Sequence, residues 1–298
     1  MRARIAAAAA GVTLLLATLV GPAEAAGPQT NRLSQPFTSG GVSSTYHIFA
    51  AGLDWSKPVG LLMYTDGSGG YGLDNPNSTY LLDADGTQGL VAVAKKHNLL
   101  LVTPFAPAPG CSGYDNCWYN GSGSPSAAQK AAWSSALMTY VKGEYVIAPD
   151  RIAIGGYSSG AQWTTRFFLP AHGEAQSVDL AVPISYGGAP AATSNFSAAY
   201  KAATVVSFDT GTADTGGYST SSSGARGGYS WYTNAGFRTE ANWVQGEDHS
   251  RDGLFDSIMD RELTQHLPAG SAIPTPPPTP SPIPTPTASP TVTPDPGC

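Results

Sequence analysis

The segment "RIAIGGYSSGAQW" (residues 151–163) decides how the rest of the chain is read. A short apolar run ends in Gly155-Gly156, and Ser158 then stands between Tyr157 and Ser159. Glycines two places either side, Gly156 and Gly160, frame Ser158 and not Ser159. The background is permissive: Gly supplies 35 of 298 residues, and Gly/Ser clusters recur at 38–44, 67–70, 121–127 and 219–228. In such a chain a G-x-S-x-G match is either a turn serine or a nucleophile, and its context separates the two. Here the context is strand, sharp turn, helix: Ile152 to Ile154 supply the strand, and Gly160 opens a helix that carries Phe167 and Phe168. Small flanking residues let a strained serine backbone lie against its neighbours. The N-terminus of the following helix favours developing negative charge. The segment predicts Ser158 as a nucleophile.

Outward from it, buried strands alternate with helices. "VGLLMYTDGSGGYG" (59–72) starts as a continuous apolar run, and "LLLVTP" (99–104) is another, stopped by Pro104. Runs of this kind mark strands covered on both faces. "STYHIFAAGLD" (44–54) has strand spacing at Tyr46 and Ile48, and "VDLAVPIS" (178–185), "ATVVSFDTG" (203–211) and "TEANWVQG" (239–246) read as further strands. Helices are predicted over 87–98, 126–145, 160–173 with an end near Pro170, and 252–267. This alternation predicts an α/β fold with a mostly parallel sheet between two helical layers. Ligands bind such sheets beyond the carboxyl ends of the strands.

A serine hydroxyl needs a base. Of the histidines, His47 lies in the first strand, His97 and His266 at helix ends, and His172 in the turn after the serine's helix. Only His249, in "QGEDHSRDG", falls between the last strand and the last helix, downstream of every strong acid candidate. The order Ser, Asp, His accompanies this kind of serine. Two acids compete after the strand 203–211: Asp209 at its end, suited to capping a turn, and Asp214 deeper in the loop. Residue mechanics prefer Asp214 only mildly. Asp248 adjoins His249 in sequence and is a weak orienter, because neighbours point apart. The glycine loop "TDGSGG" (65–70) offers a backbone N–H, at Gly67 or Ser68, to join that of Ser159 as an oxyanion hole. It lacks the phosphate-binding glycine fingerprints.

The ends of the chain are of another character. Arg2 and Arg4, an apolar stretch from Ile5 to Val20, and Pro22-Ala23-Glu24-Ala25 predict a secretory signal peptide over 1–25, with a retained anchor as the alternative. No later stretch has the length of apolar sequence that a membrane span needs. The segment 268–297 is a Pro/Thr-rich spacer, extended and disordered, and only Cys298 follows it. A further C-terminal module starting at Cys298 is the expectation, with a natural tail that carries nothing as the alternative. A formal net charge of -6 without a basic run argues against nucleic acid or an anionic membrane as partner. Cys111 and Cys117 bracket "SGYDN" and predict one disulfide in an oxidising, extracellular compartment.

These motifs together resemble the α/β-hydrolase superfamily. Asp150-Arg151, the strand "IAIG" and Gly156-Tyr157-Ser158-Ser159-Gly160 are similar to secreted carbohydrate esterases of the feruloyl and acetylxylan type and to polyhydroxybutyrate depolymerases. The resemblance covers most of 44–267 and implies a three-layer catalytic domain over 27–267. The group's oxyanion loop matches 65–70, with Thr65-Asp66-Gly67 departing from its usual histidine. Its Gly-x-x-Asp acid motif matches Gly211-Thr212-Ala213-Asp214, which favours Asp214, and its histidine falls on His249 in "GEDH". The implied chemistry is acyl transfer to water with Ser158 as nucleophile, His249 as base and Asp214 as orienter, needing no metal or organic cofactor. The implied partner is a polymeric ester on plant cell-wall polysaccharide, and the resemblance implies that a module starting at Cys298 is carbohydrate-binding. A polyester depolymerase, or a non-catalytic polysaccharide-binding or scaffolding domain, are the other readings. Trp118, Tyr119, Tyr157, Trp163 and Tyr71 are candidate substrate contacts that would serve packing equally well.

Overall fold

The computed structural model describes residues 27–70, 72–82, 88–111, 113–119 and 123–267. The expected signal peptide, the spacer 268–297, Cys298 and Tyr71 lie outside the described residues. Eight strands form one sheet: β1 (Arg32–Ser39), β2 (Val42–Phe49), β3 (Gly60–Thr65), β4 (Leu99–Pro104), β5 (Ile152–Tyr157), β6 (Leu180–Ile184), β7 (Val205–Gly211) and β8 (Arg238–Val244). Their spatial order is β1-β2-β4-β3-β5-β6-β7-β8. β1 and β2 run antiparallel at one edge, and every pairing from β4 to β8 is parallel. The helices are α1 (Gly89–Lys96), α2 (Ala127–Glu144), α3 (Ser159–Trp163), α4 (Ala198–Ala203), α5 (Ala225–Ala235) and α6 (Phe255–His266).

The continuous apolar runs are strands with both faces covered. Leu61 and Met63 of β3 join a core with Trp133, Leu137 and Val141 of α2 and Tyr232 of α5. Leu62 and Tyr64 point the other way, into a core with Leu90 and Val93 of α1 and Met259 and Leu263 of α6. The period of two thus sorts one apolar run into two cores and makes three layers, as the sequence predicts. Helix α2 starts where Ser126 and Gln129 form a reciprocal cap: Ser126 Oγ accepts from Gln129 N–H, and Gln129 Oε1 from Ser126 N–H. Among the described residues no helix is long and apolar enough to cross a membrane.

The structure adds β1, α4 and α5, which the sequence reading does not contain. It also differs at Pro170, where the expected helix end is absent. Helix α3 continues as a π-helix over Thr164–Gly173, with Pro170 inside it. A proline lacks the N–H that a carbonyl one turn earlier requires. Two tertiary donors replace it. Tyr232 Oη donates to Thr165 O at 2.6 Å, and Ala191 N–H donates to Arg166 O at 3.0 Å. Burial pushes the Tyr232 phenol well above its ordinary range, so the hydroxyl remains a donor. Tyr232→Phe is expected to lower the unfolding free energy by about 1–3 kcal/mol, the cost of a buried polar group left without its partner. Urea denaturation followed by tryptophan fluorescence measures it, and an unchanged midpoint would show that Thr165 O is satisfied otherwise.

Candidate active site

Ser158 sits where β5 turns into α3, beyond the carboxyl edge of the sheet. Its backbone is at φ 52° and ψ -115°, in positive-φ space that costs a residue with a Cβ. The flanking glycines permit this approach. A Cβ on Gly156 would lie 2.6 Å from Thr65 Oγ1, and one on Gly160 2.6 Å from Asp66 O. Ser158 N–H donates to Ile184 O at 3.0 Å, and Gln162 N–H donates to Ser158 O at 3.0 Å.

The turn aims the hydroxyl at the histidine that the sequence singles out. Ser158 Oγ and His249 Nε2 are 2.9 Å apart, and His249 Nδ1 and Asp214 Oδ2 are 2.6 Å apart. An acid that accepts from Nδ1–H leaves Nε2 free to accept the serine proton, so one tautomer serves both bonds. The second oxygen of Asp214, Oδ1, accepts Gly217 N–H at 2.9 Å. Asp214 is buried, whereas the imidazole keeps 41% of its surface open to the cleft. Tyr157 and Tyr186 flank the ring, with centroids 5.3 and 6.0 Å from it.

Asp209 does not touch His249. It is fully buried, and its oxygens take Arg251 Nη2 at 2.7 Å, Arg261 Nη2 at 2.6 Å and Asn242 Nδ2 at 2.8 Å. Arg251 is itself buried, stands two residues after His249, and begins two consecutive positive-φ residues, Arg251 and Asp252 at 49° each. The acid that competes with Asp214 in the sequence therefore anchors the loop that presents the base. Sequence alone gives no signal for this, because both arginines arrive from later in the chain.

Of the expected oxyanion donors, Ser159 opens α3, so its N–H has no partner one turn earlier. Gly67 N–H is already given to Asp66 Oδ1 at 2.6 Å, so of the two expected loop amides only that of Ser68 lacks an acceptor among the described residues. Gly69 N–H donates to Asn116 O at 2.8 Å, and Ser68 Oγ lies 3.5 Å from each sulfur of the Cys111–Cys117 disulfide. That disulfide forms as expected, with Cα atoms 5.6 Å apart. Buried Lys130 secures its loop by donating to the carbonyls of Pro109 and Cys117, and burial lowers its ammonium to about 8.

Asp66, where the resembling family has histidine, is the residue that sequence reasoning passed over. Burial pushes its carboxyl up, against the N–H groups of Gly67 and Gly72 that favour its charge. With Ser68, Ser78, Tyr80 and Tyr157 it lines a cavity of about 290 Å³ beside the nucleophile. Tyr157 packs on Phe255 at 4.4 Å on this side. On the other side Tyr119, half-buried, stacks on Phe167 at 5.7 Å. Trp118 and Trp163 must be corrected: they are buried against each other at 4.5 Å in the core and present no face to a substrate.

Neither a protein-family model nor a curated protein matches the chain in sequence. Its fold does have counterparts among solved structures. A thermostable esterase is 16% identical with a TM-score of 0.56, over 78% of this chain and 61% of that one. An esterase structure from work on two fungal esterases of Rhizomucor miehei is 12% identical with a TM-score of 0.52, over 81% and 85%. An arylesterase is 13% identical with a TM-score of 0.50, over 80% and 84%. At these identities the likeness is one of fold.

The two aspartates predict opposite phenotypes. Asp214→Ala is expected to lower kcat by about 10⁴-fold with little effect on unfolding, as when the orienting acid of a serine triad is lost. Asp209→Ala is expected to lose about 3–5 kcal/mol of stability, because it removes the nearer carboxylate partner of buried Arg251. Ester kinetics and thermal denaturation on both variants check this, and the reverse pattern would exchange their roles.

Proposed function

We propose that the chain is a secreted serine esterase that hydrolyses carboxylic esters on plant cell-wall polysaccharide, with an aromatic acyl group of the feruloyl kind as the favoured acid part of the ester. The carrying observation is the unbroken relay from Ser158 Oγ through His249 to Asp214, at 2.9 and 2.6 Å. Ser158 attacks the ester carbonyl while His249 Nε2 takes its proton, and the imidazolium that forms is stabilised by Asp214. The N–H groups of Ser159 and Ser68 receive the oxyanion. His249 then returns the proton to the leaving alcohol and activates the water that frees the acid.

The substrate class draws on weaker supports. The cavity of about 290 Å³ beside Ser158 is much larger than an acetyl group fills, and Tyr80 and Tyr157 give it aromatic walls. Asp66 and Ser78 supply polar groups for a phenolic hydroxyl. The solved structures of similar fold include an arylesterase and fungal esterases. A Pro/Thr-rich spacer suits an enzyme tethered to an insoluble polymer, where attachment raises its local concentration.

The test compares the whole chain with Ser158→Ala. A fluorophosphonate probe is expected to label the wild type only. Feruloylated arabinoxylan, acetylated xylan and polyhydroxybutyrate are supplied in parallel, with ferulate the expected product. Acetate or hydroxybutyrate as the sole product would replace the substrate, and no Ser158-dependent labelling or hydrolysis would leave a binding or scaffolding domain.

A further inference from the structure

The helix that begins behind the nucleophile carries one more charged side chain toward the cleft. Arg166 lies in the π-helical stretch, and its stem passes so close to Gly188 that a Cβ there would sit 2.8 Å from Arg166 Cδ. Its guanidinium lies over the ring of Tyr119, 5.4 Å from the centroid. Tyr186 adjoins the triad, with its ring edge-on to His249 at 6.0 Å. Burial and the Asp214 charge push the Tyr186 phenol up, and Arg166 pulls it down, so the guanidinium is felt inside the site.

Arg251 and Arg261 are held by Asp209, and Arg32 by Glu144. Among the described residues Arg166, like Arg151, Arg226 and Arg238, has no carboxylate partner, and its charge acts on Tyr186 beside His249. Its Nε is buried with no hydrogen-bond partner. The planar fork of a guanidinium matches a carboxylate through two parallel hydrogen bonds. The cavity beside the nucleophile has Asp66 and no cation in its lining.

We infer that Arg166, with Tyr119 and Tyr186, forms an anion subsite that selects esters carrying a carboxylate near the scissile bond, such as those on uronate-bearing polysaccharide. This rests on the esterase reading of Ser158. Arg166 is a specificity residue in it, with no part in bond breaking.

The test uses two matched pairs of small esters on the whole chain. Para-nitrophenyl hydrogen glutarate against para-nitrophenyl valerate places the charge on the acyl side. Para-acetoxyphenylacetate against para-tolyl acetate places it on the alcohol side. In one pair the anionic ester is expected to have a kcat/KM about tenfold higher, the worth of one charge-assisted hydrogen bond. Arg166→Gln is expected to bring that ratio close to one, Arg166→Lys to keep part of it, and added salt to shrink it. Because the readout is a ratio within one protein, a smaller folded fraction cancels. Equal rates within both pairs of the wild type, or a preference that persists in Arg166→Gln, would overturn the subsite alone. Failure of Ser158-dependent hydrolysis of the neutral esters would overturn the esterase reading and the subsite with it.

Discussion

The backbone of Ser158 holds a conformation that an isolated peptide would leave, at a cost of about 1–3 kcal/mol, and the surrounding sheet keeps it there. β5 lies inside the sheet between β3 and β6, so neither edge of the strand can relax outward. Thr65 pairs with Gly156 in the register, and the glycine loop 65–70 begins at that pair. Moving the serine would therefore also move the loop that faces it. The strain is useful because it is shared by two elements that must keep a fixed distance.

The base and acid come from strand ends that only the sheet brings together. Its register forms one row of paired residues, Tyr157 with Ile184, Ile184 with Asp209, and Asp209 with Asn242. That row runs from the residue before the nucleophile to the anchor of the histidine loop. A buried charge pair in such a row is weak evidence for stability but a strong constraint on position, since either partner left alone is costly. Ser158 is thus fixed by backbone strain and His249 by charge, and the two constraints meet over 2.9 Å.

The fold was legible where burial is two-sided. β3, β4, β6 and β7 are buried along their whole length and read as apolar runs, whereas β1 is an edge strand with Pro36 and mostly part-exposed residues. Helix α5 begins inside a Gly/Ser cluster and holds the core through Tyr232, so its composition conceals it. Ser158 and His249 were legible because local pattern and chain order carry their geometry. Residue mechanics separated Asp214 from Asp209 only mildly and the family resemblance more, since the difference between them lies in Arg251 and Arg261. Trp118 and Trp163 illustrate the same limit: an indole suits a core as well as a cleft, and only tertiary packing decides.

The wide turn after α3 has a consequence for how this chain tolerates change in length. A π-helix holds more residues per turn than an α-helix, so its side chains emerge at angles set by the count of residues as well as by their identity. Deleting one residue ahead of Arg166 would swing its guanidinium by about 100° around the helix axis and take it away from Tyr119. The carbonyls that Tyr232 and Ala191 serve would shift in the same step. Related chains could vary freely in the letters of this segment and still share its width, and a one-residue indel there would alter what the cleft admits while leaving Ser158 in place.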